Sequence, residues 1–166
     1  MTKLKVMRKL VLVLILCIGS KSFSQDQTKI EIGANIGLPV GDFDFFSDYG
    51  LGFEVNYLFT KGDKFEFGPS IGLTHFTLNF EGPEDAIRSY NILPIAVDAR
   101  YYILEELSVE LDVGYAIGIT NVNGGEFYYK PSLAVALGNH LKLNGFYSDA
   151  GLYKYAGLGL SYRFNI

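Results

Sequence analysis

The chain has one cysteine, no tryptophan and 5 prolines among its 166 residues. With Cys17 alone, neither a disulfide framework nor a cysteine-based zinc site is available. Basic side chains are scarce: 14 Lys and Arg against 18 Asp and Glu give a formal net charge of −4. That balance excludes nucleic acid as a partner, because phosphate contacts need a surplus of Lys and Arg. Charged residues make up 19% of the chain, below the usual ~25%, so a disordered chain is excluded as well. The apolar run at residues 10–19 has ten residues, half of the ~20 that a membrane-spanning helix needs. The length suits one domain.

What is present begins with an address. Lys3, Lys5, Arg8 and Lys9 form a basic cluster, residues 10–19 are apolar, and Ser22-Phe23-Ser24 offers small residues for a cut before Gln25. This is the layout of a secretory signal at residues 1–24, with the mature domain at 25–166. Leu16 is larger than the residue that precedes a lipidated cysteine, so Cys17 does not read as a lipid anchor. Removal of residues 1–24 takes five basic side chains, no acid and the only cysteine, which leaves a net charge of −9.

The mature chain alternates with period two and sustains no helical stripe. Within residues 107–119 every odd position is apolar, from Leu107 through Val113 to Ile119, while the even positions are Ser108, Glu110, Asp112, Gly114, Ala116 and Gly118. Seven further segments pass the same test, led by Ile30, Leu51, Phe65, Leu93, Tyr129, Leu141 and Ala156. Successive strand side chains point to opposite faces, so each segment has one greasy face and one small or charged face. Tight connections at 61–63, 104–106 and 138–140 alternate with longer ones at 42–48, 78–88, 120–125 and 149–154. Eight strands with short turns alternating with longer loops predict an all-β, eight-stranded antiparallel up-and-down transmembrane barrel.

The greasy phase carries no charge in any segment. The opposite phase carries Glu31, Glu54, Glu66, Asp98, Arg100, Glu110, Asp112, Lys130, Lys142 and Arg163, together with glycines such as Gly33, Gly37, Gly50, Gly72 and Gly114. An eight-stranded barrel is only just wide enough for side chains to fill. Glycine and paired charges suit that lumen, and bulky apolar groups suit lipid. Each of Arg100, Lys130, Lys142 and Arg163 is therefore expected near one of the six carboxylates, since a buried unpaired charge is expensive. Aromatics gather near strand ends in two expected girdles. Tyr57, Phe59, Phe65, Phe67, Tyr101, Tyr162 and Phe164 lie at the tight-turn end; Tyr49, Phe76, Tyr90, Tyr115, Phe127, Tyr129, Tyr147 and Tyr155 lie at the long-loop end.

With this signal, this strand pattern and the final strand Gly157-Leu158-Gly159-Leu160-Ser161-Tyr162-Arg163-Phe164, the chain resembles the small eight-stranded outer-membrane β-barrel proteins of Gram-negative bacteria. The resemblance spans about residues 28–166. It implies residence in the outer membrane, contact with its lipid and lipopolysaccharide, and delivery by the barrel-insertion machinery, which in this family reads a terminal aromatic. Here Asn165 and Ile166 follow Phe164. Architecture of this kind does not specify an activity.

No catalytic set, cofactor or resident metal is expected. His75 and His140 are the only histidines. Leu73-Thr74-His75-Phe76-Thr77 lacks the serine that lipid A deacylases of this architecture place near their histidine. Asp42, Asp44 and Asp48 in the first loop, and Glu81, Glu84 and Asp85 in the second, suit divalent-cation bridging to lipopolysaccharide or a basic surface partner. The leading expectation is a non-enzymatic barrel with a filled polar lumen and a structural or surface-interaction role. Two alternatives stand beside it. One is a narrow transporter for a small hydrophobic molecule, suggested by Pro39, Pro69, Pro94 and Pro131 in or beside strands. The other is a soluble periplasmic lipid-binding barrel with its greasy phase turned inward.

Overall fold

The computed structural model describes residues 28–45, 47–78, 89–120 and 124–165. The signal segment at 1–24 and the acidic loop at 79–88 lie outside the described residues. Eight strands follow in order: β1 (Thr28–Pro39), β2 (Ser47–Lys61), β3 (Phe65–Leu78), β4 (Ser89–Tyr102), β5 (Leu107–Thr120), β6 (Gly125–Leu137), β7 (Leu141–Ala150) and β8 (Tyr153–Asn165). Each pairs antiparallel with its neighbours, and the ring closes between β1 and β8 in a ladder from Lys29↔Asn165 to Pro39↔Tyr155. Closure leaves no open sheet edge, which is the condition a β-structure must meet in hydrocarbon. A short 3-10 turn at Gly41–Phe45 joins β1 to β2.

Alternation fixes what the wall presents. Val97, Phe53 and Leu111 are 56%, 55% and 43% exposed, and the rest of the greasy phase lies with them on the outside. A soluble lipid-binding barrel turns this phase inward, so the orientation of these side chains contradicts that alternative. A continuous apolar wall of this extent far exceeds the patches that water-soluble monomers tolerate.

The turns follow local chemistry. Gly62 and Gly138 adopt φ of 65° and 80° in tight turns, a region that side chains with a Cβ rarely enter. The β7–β8 connection is tighter than expected. The expected loop at 149–154 is a two-residue turn of Gly151 and Leu152, because Asp149 Oδ1 accepts the Gly151 N–H at 3.0 Å and lets both strands run on.

Prolines leave marks in the ladders. Pairing skips from Asn56↔Ser70 to Phe59↔Phe67 around Pro69, from Ile71↔Ile95 to Thr74↔Ile92 around Pro94, and from Tyr129↔Asp149 to Ser132↔Phe146 around Pro131. Proline donates no ladder hydrogen bond, so a local gap is its physical consequence.

The tight-turn girdle faces outward. Tyr57 and Phe59 meet edge-on at 5.1 Å, Phe65 stacks on Phe67 at 5.7 Å, and Tyr162 lies 4.7 Å from Phe164. At the long-loop end the expectation needs correction. Tyr49, Tyr115 and Phe127 are outside, and the Tyr129 and Tyr147 hydroxyls both donate to Asp149. Phe76 and Tyr155 instead point into the barrel and are fully buried, and Tyr90 packs against the same interior cluster. Strand parity decides this. Phe76, Tyr90 and Tyr155 sit on the polar phase of β3, β4 and β8, so closeness to a strand end does not put them in lipid.

Their interior places are made by glycines on the neighbouring strands. A Cβ on Gly50 would lie 2.7 Å from the Phe76 ring, and one on Gly37 would lie 2.7 Å from the Tyr155 ring. Gly50→Val is expected to destabilise the barrel by roughly 1–3 kcal/mol through overpacking. Urea unfolding in lipid vesicles checks it, and the additional change Phe76→Leu should recover part of the loss.

Candidate functional site

The barrel interior divides into two layers. Toward the long loops, Phe76, Ile92, Ala96, Ala116, Tyr128, Phe146, Ala150 and Tyr155 form an apolar plug. Phe76 and Phe146 each meet Tyr155 at 5.2 Å in edge-to-face contacts. The Tyr155 hydroxyl lies 3.4 Å from Thr74 Oγ1 and donates to Asn35 Oδ1 at 3.5 Å. The lumen is therefore not polar along its whole length, because inward alanines and glycines on several strands leave room for rings.

Toward the tight turns lies a layer of charge. Ladder register brings part of it together: Glu31 is opposite Arg163, Arg100 opposite Glu110, and Asp112 opposite Lys130. Other pairs cross the lumen. Arg100 grips Glu31 with both terminal nitrogens, at 2.8 and 2.9 Å, and its Nε donates to Asp98 Oδ2 at 2.8 Å. Lys142 reaches Glu31 at 2.7 Å and Glu110 at 2.8 Å. Arg163 adds contacts to Glu31 at 3.3 Å and to Glu66 at 3.8 Å. Glu31 is thus a hub for three cations contributed by β4, β7 and β8.

A second, smaller group sits beside this hub. Lys130 pairs with Glu54 across the lumen and with Asp112 Oδ2 at 3.2 Å. Its ammonium also lies 5.9 Å from the Phe146 ring centroid, so it joins the charged layer to the aromatic plug.

Two participants carry no mark in the sequence reading. Lys29 binds Glu66 at 2.5 Å. Tyr102 donates to Glu66 at 2.9 Å and accepts from Arg163 at 2.9 Å. Both share the inward parity of Glu31 and Arg100, and that parity was the available signal. Lys29, Glu66, Tyr102 and Arg163 also line a mouth of about 530 Å³ at the tight-turn end, shared with Lys64, Asp63 and Glu105.

The histidines stand apart from this layer. His75 faces outward with Nδ1 2.8 Å from Asn91 Oδ1, and His140 stacks on Tyr162 at 5.5 Å. Among the described residues, no group of three or more His, Cys, Asp or Glu side chains is arranged to hold a metal ion.

A closed ring of eight antiparallel strands with an apolar outer wall defines a β-barrel of the transmembrane type. Its fold is that of the small eight-stranded outer-membrane barrels. The outer-membrane protein Ail of Yersinia pestis, in a phospholipid bilayer nanodisc, matches with a TM-score of 0.58 at 17% identity, covering 84% of this chain and 100% of that one. A de novo designed transmembrane β-barrel matches with a TM-score of 0.54 at 11% identity, covering 86% of this chain and all 100% of its own. Ail in complex with the heparin analogue sucrose octasulfate matches with a TM-score of 0.50 at 18% identity, over 85% of this chain and 100% of that one. At these identities the likeness is one of fold. No family model matches the chain, and no curated protein matches it.

Proposed function

We propose that this chain is exported through a cleaved signal at residues 1–24 and inserts into the outer membrane as a closed, non-catalytic barrel with a structural or surface-interaction role. The observation that carries this reading is the pairing of an apolar outer wall with an interior filled by ion pairs and rings. The wall offers lipid and the acyl chains of lipopolysaccharide a continuous surface, and the barrel-insertion machinery is the partner during assembly. The ten inward charges Glu31, Glu54, Glu66, Asp98, Arg100, Glu110, Asp112, Lys130, Lys142 and Arg163 act as a plug rather than a path, since each cation is engaged by at least one carboxylate.

The surface role would fall to the loops. Ail has been captured with a sulfated ligand. The exposed Asp42 and Asp44 of this chain oppose such a polyanion and favour a basic partner or a divalent-cation bridge to lipopolysaccharide phosphates.

Purified barrel in planar bilayers is expected to give no steady ion current at neutral pH. A sustained open level in most insertions would overturn the closed-lumen reading. The transport alternative rests on the ladder gaps at Pro69, Pro94 and Pro131. It predicts that cells expressing the chain take up a small apolar dye faster than cells without it, and the closed-barrel reading predicts equal rates.

A further inference from the structure

The charged layer has an imbalance confined to one place. The Glu31 hub contains four carboxylates (Glu31, Glu66, Asp98 and Glu110) and four cations (Lys29, Arg100, Lys142 and Arg163), joined in one continuous network of ion pairs. It is neutral. The neighbouring group sets two carboxylates, Glu54 and Asp112, against Lys130 alone. It carries one uncompensated negative charge in the barrel interior, where an unpaired ion is costly.

The two groups meet at Asp98 and Asp112. These residues are directly opposite each other in the β4–β5 ladder, and both are almost wholly buried, at 2% and 4% exposure. Direct ladder partners bring their Cβ atoms to about 4.5–5.5 Å, within reach of each other's carboxyl groups. Each uses Oδ2 for its cation, Asp98 toward Arg100 and Asp112 toward Lys130. Each has an Oδ1 that is buried with no hydrogen-bond partner among the described residues. Two orphan acceptors on directly paired ladder residues and one surplus negative charge have a common solution, which is a single hydrogen between them.

We infer that Asp98 and Asp112 hold one proton between them, a buried proton-binding site on the inner wall of the barrel. The proton comes from solvent and remains on one carboxyl group, whose O–H donates to the facing carboxylate oxygen. This satisfies both orphan atoms and brings the layer of ion pairs to neutrality. The titratable groups of the charged layer fix the count: Lys29 and Glu31 on β1, Glu54 on β2, Glu66 on β3, Arg100 on β4, Glu110 on β5, Tyr128 and Lys130 on β6, Lys142 on β7 and Arg163 on β8 make, with the pair, six carboxylates against five cations. A metal ion is a poorer occupant, because these two oxygens are not joined by a third acidic or histidine ligand among the described residues.

Infrared difference spectroscopy of the folded barrel in lipid at neutral pH tests the site. The wild-type barrel is expected to show the carbonyl stretch of an un-ionised carboxyl group. That band should shift when aspartate alone is labelled with carbon-13 at its side-chain carboxyl, and it should be lost in Asp112→Asn. The labelling arm needs no substitution, so it stands even where a variant folds poorly. Absence of the band, or a band indifferent to labelled aspartate, overturns the inference. Absence of the band together with a sodium-dependent rise in unfolding temperature overturns it in favour of a bound cation.

Discussion

A barrel carrying Arg100→Met is expected to lose about 3–5 kcal/mol of folding free energy, the typical cost of removing one partner from a buried ion pair. Arg100 is 1% exposed and engages Glu31 and Asp98 directly, with Glu110 at 3.7 Å. Methionine fills much of the volume but supplies no donor. Glu31 keeps Lys142 and Arg163, whereas Asp98 loses the only cation paired with it among the described residues. Arg100→Lys is expected to fall between wild type and Arg100→Met, since one ammonium cannot reproduce the two-nitrogen grip on Glu31. Urea-driven unfolding in lipid vesicles reads both variants. Lys61→Met at the exposed β2–β3 turn serves as the control, with a change within about 0.5 kcal/mol. Equal behaviour of Arg100→Met and Lys61→Met would mean that the charged layer contributes nothing specific to the fold.

The second large effect belongs to the outer wall. Val97→Arg, near the middle of β4 and pointing outward, is expected to cost about 2–4 kcal/mol, as for a cation at the bilayer midplane. Ile103→Arg, beyond the end of β4 at the tight-turn rim, is expected to cost about 0–1 kcal/mol, since the penalty falls toward the interface. The contrast matters more than either value. A wall facing water would accept both arginines with little change. The same vesicle unfolding assay therefore separates lipid from solvent as the surroundings of the wall.

Much of the fold was legible because parity carries through every strand. Once residues 107–119 assign Leu111 outward and Asp112 inward, the same rule sorts the other segments, and closure follows from the need to pair both edges. Reading by position along the strand in place of parity failed. Phe76, Tyr90 and Tyr155 sit near loop ends as girdle aromatics do, yet their phase turns them inward. The glycines that admit them were visible, but the identity of their partners was not. Gly50 and Phe76 are paired by β2–β3 register, and register is set by turn lengths that a sequence leaves open by a residue or two.

The charged layer shows the same boundary. Contacts between ladder neighbours, such as Glu31 with Arg163, follow once register is known. Contacts across the lumen, such as Arg100 with Glu31 and Lys130 with Glu54, depend on strand tilt and stagger around the whole ring. Lys29 and Tyr102 were legible by parity alone and join the network only in three dimensions.

The absence of tryptophan makes the orientation of the wall directly measurable. A single Leu111→Trp barrel reconstituted in vesicles gives one indole signal from the outward face of β5. Strong quenching by lipids brominated along their acyl chains, with little quenching by aqueous iodide, is the expected result. Efficient quenching by iodide with none by brominated lipid would contradict the account.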